Sequence, residues 1–379
     1  MKRKNQLGGA MLAAGFAVAA QTTDIAAIDK NFRPATIGDV AVNYYDALAG
    51  APFEVTGFAW RKPGGELYRI PAELTSEQTS EGVIALAKHT SGGAVRFRTD
   101  SPYLAIRATL RAGSDMNHMP RSGSCGFDLF QSDAKGASHY NTTIQPSPEH
   151  LKGEVLERKA NSFAKAGEMR DWVIYLPLYG GVQSLEAGIA PGAKLEAPTP
   201  HRIAKPILFY GSSITQGGCA SRPANNYTTM LCRAVDAPQI NLGFSGNAKG
   251  EIALAEAIAG LDLAAFVYDY DYNAPGAAHL AKTHEPFFLK IREKNPDLPI
   301  IMMSKCSGPD AKRRDIIKKT CQNAIDRGDR NVYFIDGSEL FGEPGKDYCT
   351  VDGCHPNDLG FYQMYRRVLP VLRQALDKR

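Results

Sequence analysis

The sequence predicts an α/β fold of three α/β/α layers with a five-stranded parallel sheet, preceded by an all-β, jelly-roll-like sandwich. Three observations carry this expectation. A chain of 379 residues suits two domains. Its first half reads as short alternating runs broken by Gly, Ser and Pro. Its second half changes to apolar, strand-like runs separated by helical patterns, the texture of a parallel sheet covered on both faces.

The elements follow in order. Met1-Lys2-Arg3-Lys4 is basic, and Leu7 to Ala20 is short, apolar and rich in Ala and Gly. Residues 1–20 therefore read as a bacterial-type signal peptide cut near Ala20, and the mature protein is expected to be secreted or periplasmic. The stretch is short for a membrane span, and no cysteine follows it, so neither membrane insertion nor a lipoprotein anchor is expected. Residues 36–188 read as the sandwich. Val95, Phe97 and Thr99 alternate with Arg96 and Arg98, Leu104 to Leu110 alternate again, and Trp172 to Leu178 is a further strand before a Tyr-Gly-Gly turn. Residues 189–204, rich in Pro and Ala without a clear period, read as a linker. Residues 205–379 supply strands at 205–210, 239–244, 264–270, 299–304 and 331–336. Helices are clearest at 279–295, 310–327 and 357–377. In such a sheet the segments that follow the strands share one edge, where ligands bind.

The chemistry sits on that edge. Tyr210-Gly211-Ser212-Ser213-Ile214-Thr215-Gln216-Gly217 follows a buried-type run, Pro206 to Phe209. Small residues there permit the sharp turn that exposes a serine hydroxyl at the mouth of a sheet. Asp352-Gly353-Cys354-His355 puts an acid and a histidine three residues apart in one loop before the last helix. The carboxylate can fix the imidazole tautomer and leave the other ring nitrogen free to take a serine proton. Asn241 to Asn247 and Tyr268 to Pro275 follow the second and third strands. One offers a glycine N–H and the other an asparagine amide, the donor types that hold a developing oxyanion.

These four blocks resemble the SGNH (GDSL-type) hydrolase superfamily. Matched residue by residue, the nucleophile is Ser213 rather than Ser212. The acid and base are Asp352 and His355, and the oxyanion donors are Ser213, Gly246 and Asn273. Ser212 replaces the usual Asp before the nucleophile, and Asp271 and Ala274 replace the Gly and Asp flanking Asn273. Ser213 to Pro223 and Gly126-Phe127-Asp128-Leu129-Phe130 are similar to a two-domain subfamily whose sandwich carries Gly-x-Asp-Leu-Tyr, with Phe130 in the last place. The resemblance implies an SGNH-type domain after the sandwich and a secreted serine esterase without cofactor or metal. Its expected substrate is an acetylated glycan or other small ester. An acyltransferase or lipid-type acylhydrolase with the same triad, and a non-catalytic glycan-binding protein, are the alternatives.

Other residues carry two readings each. Arg222 and Asn226, close behind the nucleophile, either contact substrate or serve structure, and His118 either reaches the cleft from the sandwich or is a surface histidine. Asp269 and Asp271 could be an acid pair for glycoside cleavage. Trp60 and Trp172 could form a sugar platform, although Trp172 sits in an apolar strand. Asn141-Thr142-Thr143 and Asn226-Tyr227-Thr228 match the glycosylation sequon, a pattern frequent by chance. The formal charge of +4 falls to +1 without Lys2, Arg3 and Lys4, and no basic tract remains, so a nucleic-acid partner is not expected. Seven cysteines without a Cys-x-x-Cys pair argue against zinc, and Cys349 with Cys354 either bridges or stays reduced.

Overall fold

The structure, a computed structural model, describes residues 37, 40–113, 115–308 and 310–377; the signal peptide read at 1–20 lies outside them. The elements run β1 (Asn43–Asp46), β2 (Glu54–Thr56), α1 (Glu81–Leu86), β3 (Ala94–Thr99), β4 (Tyr103–Ala112), α2 (Arg121–Ser124), β5 (Phe127–Ser132) and β6 (Ser138–Ile144). β7 (Leu156–Asn161), β8 (Arg170–Tyr175), β9 (Gly181–Ile189) and β10 (Leu195–Glu196) complete the β-rich part. β11 (Ile207–Gly211), α3 (Ser213–Gln216), α4 (Tyr227–Val235), β12 (Gln239–Gly243), α5 (Ile252–Ala259), β13 (Ala265–Asp269) and α6 (Ala277–Lys294) follow. β14 (Ile300–Met303), α7 (Ala311–Asp326), β15 (Val332–Ile335), α8 (Gly345–Cys349) and α9 (Asp358–Asp377) end the chain.

Among the described residues two antiparallel sheets, β1-β9-β4-β7 and β10-β3-β8-β5-β6 with β2 on β3, form the sandwich. Their facing residues share one core. Val95 and Phe97 of β3, Leu104 and Ile106 of β4, Phe127 and Leu129 of β5, and Trp172 and Ile174 of β8 are all buried in it. The period-2 alternation does this, because every second side chain of a strand points to the same face. Trp172 is fully buried there and offers no sugar platform; Trp60 packs on the core of the parallel-sheet domain. The stretch read as a linker is partly sheet, since Leu195 and Glu196 pair with Thr99 and Arg98.

The second part is a parallel sheet ordered β12-β11-β13-β14-β15. Alternate residues of its strands go to opposite faces. Ile207 and Phe209 join one core with α4 and α9, and Leu208 and Tyr210 join the other with α5, α6 and α7. Burial on both faces explains why these strands read as continuous apolar runs. Sequence signals set the helix starts. Asn226 caps α4 by accepting from the Thr228 N–H, and Asp310 caps α7 by accepting from Lys312 and Arg313.

The two parts lie in one compact unit, 35–379. They are pinned by Asp128, the acid of the Gly-x-Asp-Leu-Phe run in β5. Its carboxylate is fully buried and accepts from Thr143 Oγ1 at 2.6 Å, Arg222 Nη1 at 2.9 Å and the Ala224 N–H at 2.8 Å. Arg222 also lies 4.2 Å over the Tyr140 ring. Arg222, one reading of which was substrate contact, is therefore committed to the domain joint. Removing one partner of a buried ion pair strands the other. Asp128→Ala should lower unfolding stability by about 3–5 kcal/mol in a urea titration, with the sandwich and parallel-sheet transitions no longer coincident.

Candidate active site

The site is built where three strand ends come close together. In parallel register Gly211 stands beside both Gly243 and Asp269. A Cβ on Gly211 would meet the Asp269 carbonyl oxygen at 2.0 Å, and one on Gly243 would meet the Gln216 nitrogen at 2.2 Å. The short helix α3 therefore rests directly on the strand ends, and only glycine fits at either place. Ser212 opens α3. It is fully buried, and its Oγ accepts from the Ile214 N–H at 3.2 Å, so its hydroxyl is spent on the cap. Ser213, the first helical residue, turns outward.

Ser213 Oγ lies 2.9 Å from His355 Nε2, and His355 Nδ1 lies 2.7 Å from Asp352 Oδ2. With Nδ1–H donating to the carboxylate, Nε2 is the acceptor that faces the serine hydroxyl. Asp352 Oδ1 also accepts from the main-chain N–H groups of Cys354 at 2.9 Å and His355 at 2.7 Å. Partial burial pushes the Asp352 carboxyl up, but the His355 ring bond, these two N–H groups and the imidazole charge outweigh it and hold the group down to about 2. The loop itself is tied down. Val351 N–H donates to the His355 carbonyl, Cys219 N–H to the Pro356 carbonyl, and Ser307 Oγ to the Cys354 carbonyl. None of the seven cysteines is in a disulfide, so no Cys349–Cys354 bridge is present and these hydrogen bonds tie the loop.

The main-chain N–H groups of Ser213 and Gly246 bind no other described residue. Gly246 has φ +69°, and no atom lies within 4 Å of where its Cβ would be, so the loop is open on that side. The neighbouring residues are clamped. Ser245 N–H donates to Gln216 Oε1 at 3.0 Å, and Asn247 Nδ2 donates to the Ser245 carbonyl at 2.7 Å. Asn273 Nδ2 donates to the Phe244 carbonyl at 2.8 Å. An amide nitrogen carries two hydrogens, so one remains for another acceptor.

Several supporting residues gave no sequence signal. Arg69 is fully buried in the segment before α1. Its guanidinium donates to the carbonyls of Asn241 and Gly243 at 2.9 Å each and of Leu86 at 2.7 Å, with no acid at ion-pair distance among the described residues. It thereby holds the end of β12, from which the Gly246 loop departs. Burial, followed by the Arg69 charge, pushes His89 down to about 4, which keeps the ring neutral. Its Nδ1 accepts from Gln216 Nε2 at 3.0 Å, and that same amide holds Ser245. Buried arginines that bind only carbonyls carry no periodicity or motif, so only the folded contact map finds them.

The remaining candidates sort plainly. His118 stands on the sandwich loop after β4, with its ring centroid 5.8 Å from that of His355 and the rings at 62°. The adjacent Met119 is buried in the core under α3, which fixes the loop there. His118 is thus brought to the cleft. Asn226 is not: it is fully buried, caps α4 and donates to the Thr215 carbonyl at 3.0 Å, so it neither meets substrate nor can accept a glycan. Asp269 and Asp271 are no exposed acid pair. Asp269 is buried and takes Thr215 Oγ1 and Tyr227 OH, and burial with the Asp271 charge pushes it up to about 8. Asp271 is buried beneath the Lys305 N–H. Among the described residues no cluster of three or more His, Cys, Asp or Glu is arranged to hold a metal.

Residues 204–373 match the GDSL-like lipase/acylhydrolase family, and residues 42–195 match the GxDLY N-terminus of SGNH-hydrolase-type esterases. The chain belongs to the GDSL-like, SGNH-type hydrolases. This SGNH hydrolase is similar to a Bacteroides ovatus protein assigned as a GDSL-like lipase. The identity is 27%, with 89% of this chain and 98% of that one covered and a TM-score of 0.77. The fold is shared with the salicylyl-acyltransferase SsfX3 of a tetracycline biosynthetic pathway (19% identity, 88% and 99% covered, TM-score 0.73). It is shared too with the acetyl xylan esterase Est2A of Butyrivibrio proteoclasticus (14%, 88% and 99%, TM-score 0.58). None of the curated proteins matches the chain.

The Asp352 carboxyl is depressed in the folded state, so whatever stability it contributes is fully present above the unfolded carboxyl range. That contribution is lost as pH falls toward 2. Asp352→Asn should therefore melt below the parent at pH 6, and the gap should close as the pH is lowered. A gap that is constant or widens in acid would show that the carboxylate charge is not what the loop uses.

Proposed function

We propose that this SGNH hydrolase is a serine esterase that removes O-acetyl groups from carbohydrates. The observation that carries the reading is the Ser213–His355–Asp352 line of hydrogen bonds at 2.9 Å and 2.7 Å, at the carboxyl edge of the parallel sheet. In the proposed reaction His355 Nε2 takes the Ser213 proton as Oγ attacks the ester carbonyl. The Ser213 and Gly246 N–H groups and the second Asn273 amide hydrogen hold the resulting oxyanion. Protonated His355 then gives its proton to the leaving alcohol. Water repeats the sequence on the acyl-serine, restoring Ser213 and releasing acetate. No step in this sequence needs a cofactor. The fold shared with an acetyl xylan esterase supports the carbohydrate acetate, and the fold shared with a salicylyl-acyltransferase supports a second reading, transfer to an alcohol instead of water. Export is part of the proposal, on the basic and apolar pattern of residues 1–20.

A panel of acetylated glycans, scored for acetate release with and without an added acceptor alcohol, separates hydrolysis from transfer. Ser213→Ala should lower turnover of p-nitrophenyl acetate at least about a thousandfold. Ser212→Ala should keep the chemistry and lose about 1 kcal/mol of stability with its helix cap. The reverse pattern would assign the nucleophile to Ser212. Asn273→Ala should cost roughly a hundredfold in kcat with little change in KM. A variant that melts early yet turns over normally when folded would make Asn273 a loop tie through Phe244 and nothing more.

A further inference from the structure

A cavity of about 790 Å³ lies between the sandwich sheet of β3, β8 and β5 and the helices α4 and α9. None of Ser213, Gly246, Asn273, Asp352 and His355 lines it. Its walls are largely apolar, and most of the charged groups in them are already satisfied. Arg96 is paired with Glu54 at 2.6 Å and donates to the Thr199 carbonyl, and His201 bonds Asp236 at 2.7 Å. Asp171 accepts from the Thr199 N–H and hydroxyl at 2.7 and 2.8 Å. Among the donors in the wall with capacity to spare are Arg233 and Tyr175. Arg233 makes one long hydrogen bond, 3.4 Å to the Ala224 carbonyl, and has no acid within ion-pair distance among the described residues. The Tyr175 hydroxyl bonds none of the described residues.

These two donors are neighbours. Arg233 Cζ lies 4.6 Å over the Phe130 ring, and the Tyr175 ring meets the same Phe130 edge-on at 5.3 Å. Stacking on Phe130 fixes the guanidinium while leaving most of its N–H groups unused, which is how an arginine is preorganised for a carboxylate. Across the cavity α9 contributes Tyr362 and Tyr365, with ring centroids 5.8 Å apart and Tyr362 half exposed. Aromatic faces beside a few convergent polar groups suit the C–H face of a hydroxylated sugar ring. α9 begins three residues after His355, so this wall of the cavity continues directly from the loop that carries His355.

We propose that this cavity is a second carbohydrate subsite that takes a carboxylate-bearing sugar, a hexuronic acid unit, with the acid on Arg233 and Tyr175 and the ring against Tyr362 and Tyr365. The inference rests on the carbohydrate reading above and narrows it to acidic glycans. The experiment uses the full chain and ligands without any ester, so that binding is read apart from turnover. Calorimetric titration with a trimer of galacturonic acid should show saturable binding, and a neutral xylose trimer and free acetate should bind at least about tenfold more weakly. Tyr175→Phe, which keeps the ring and its packing, and Arg233→Met should each weaken the uronate about tenfold or more, the loss expected for a charged hydrogen bond. Turnover of p-nitrophenyl acetate should be unchanged in both. Equal affinity for acidic and neutral trimers, unaltered uronate affinity in both variants, or no uronate binding at all would overturn the subsite. Uronate binding without any ester turnover by the parent would leave the subsite standing and remove the esterase reading instead.

Discussion

The seating of α3 on the ends of β11 and β12 is the constraint on which the site depends. Gly211 and Gly243 remove the side chains that would hold the helix away, and the helix then comes within backbone contact of the sheet. That contact sets the height of Ser213 above the strand ends. It also spends Ser212 on the cap and brings Gln216 close enough to hold Ser245. A methyl group at either glycine would push α3, which carries Ser213, away from the strand ends. The cost would be geometric as well as energetic, because a displacement of about an ångström at a reacting centre is enough to slow chemistry severely.

The sandwich takes part in the site. Asp128 holds the loop behind Ser213 through Arg222 and the Ala224 N–H, and the segment around α1 sends Arg69 and His89 beneath the Gly246 loop. The loop after β4 sets His118 against His355. His118 is exposed, but Asp128, Arg69 and His89 are polar groups costly to bury that meet their partners on the other part of the chain. The two parts are therefore interdependent in stability as well as in the shape of the cleft, consistent with their forming one compact unit.

The carboxylates show how burial sorts chemically equal groups. Asp352 is partly exposed, bonded to an imidazole and two N–H groups, and stays ionised. Asp269, at the end of β13, is fully enclosed and pushed up to about 8, which favours the protonated acid beneath α3. Only Asp352 is suited to stabilise an imidazolium. Asp269 instead ties Thr215 and Tyr227 together under Ser213, and it adds no negative charge near the proposed oxyanion while it stays protonated.

The sequence by itself determined the order of sandwich and parallel sheet, the five apolar strands and the loops that carry Ser213, Gly246, Asn273, Asp352 and His355. These are local properties. Periodicity follows from which face of an element is buried, and turn residues follow from backbone geometry, so both are written within a few residues of chain. It also left pairs of readings that no local pattern could divide. Arg222 was as consistent with substrate contact as with structure until Asp128, 94 residues away, was seen beneath it. Asn226 looked available until its burial was known, and the stretch after Ile189 looked like linker until Leu195 paired with Thr99. Arg69, His89 and the unused donors of Arg233 and Tyr175 had no signal at all. Only the tertiary structure decided these, because the fate of a polar group depends on whether a partner from elsewhere in the chain shares its low-dielectric surroundings, and that pairing is a property of the fold.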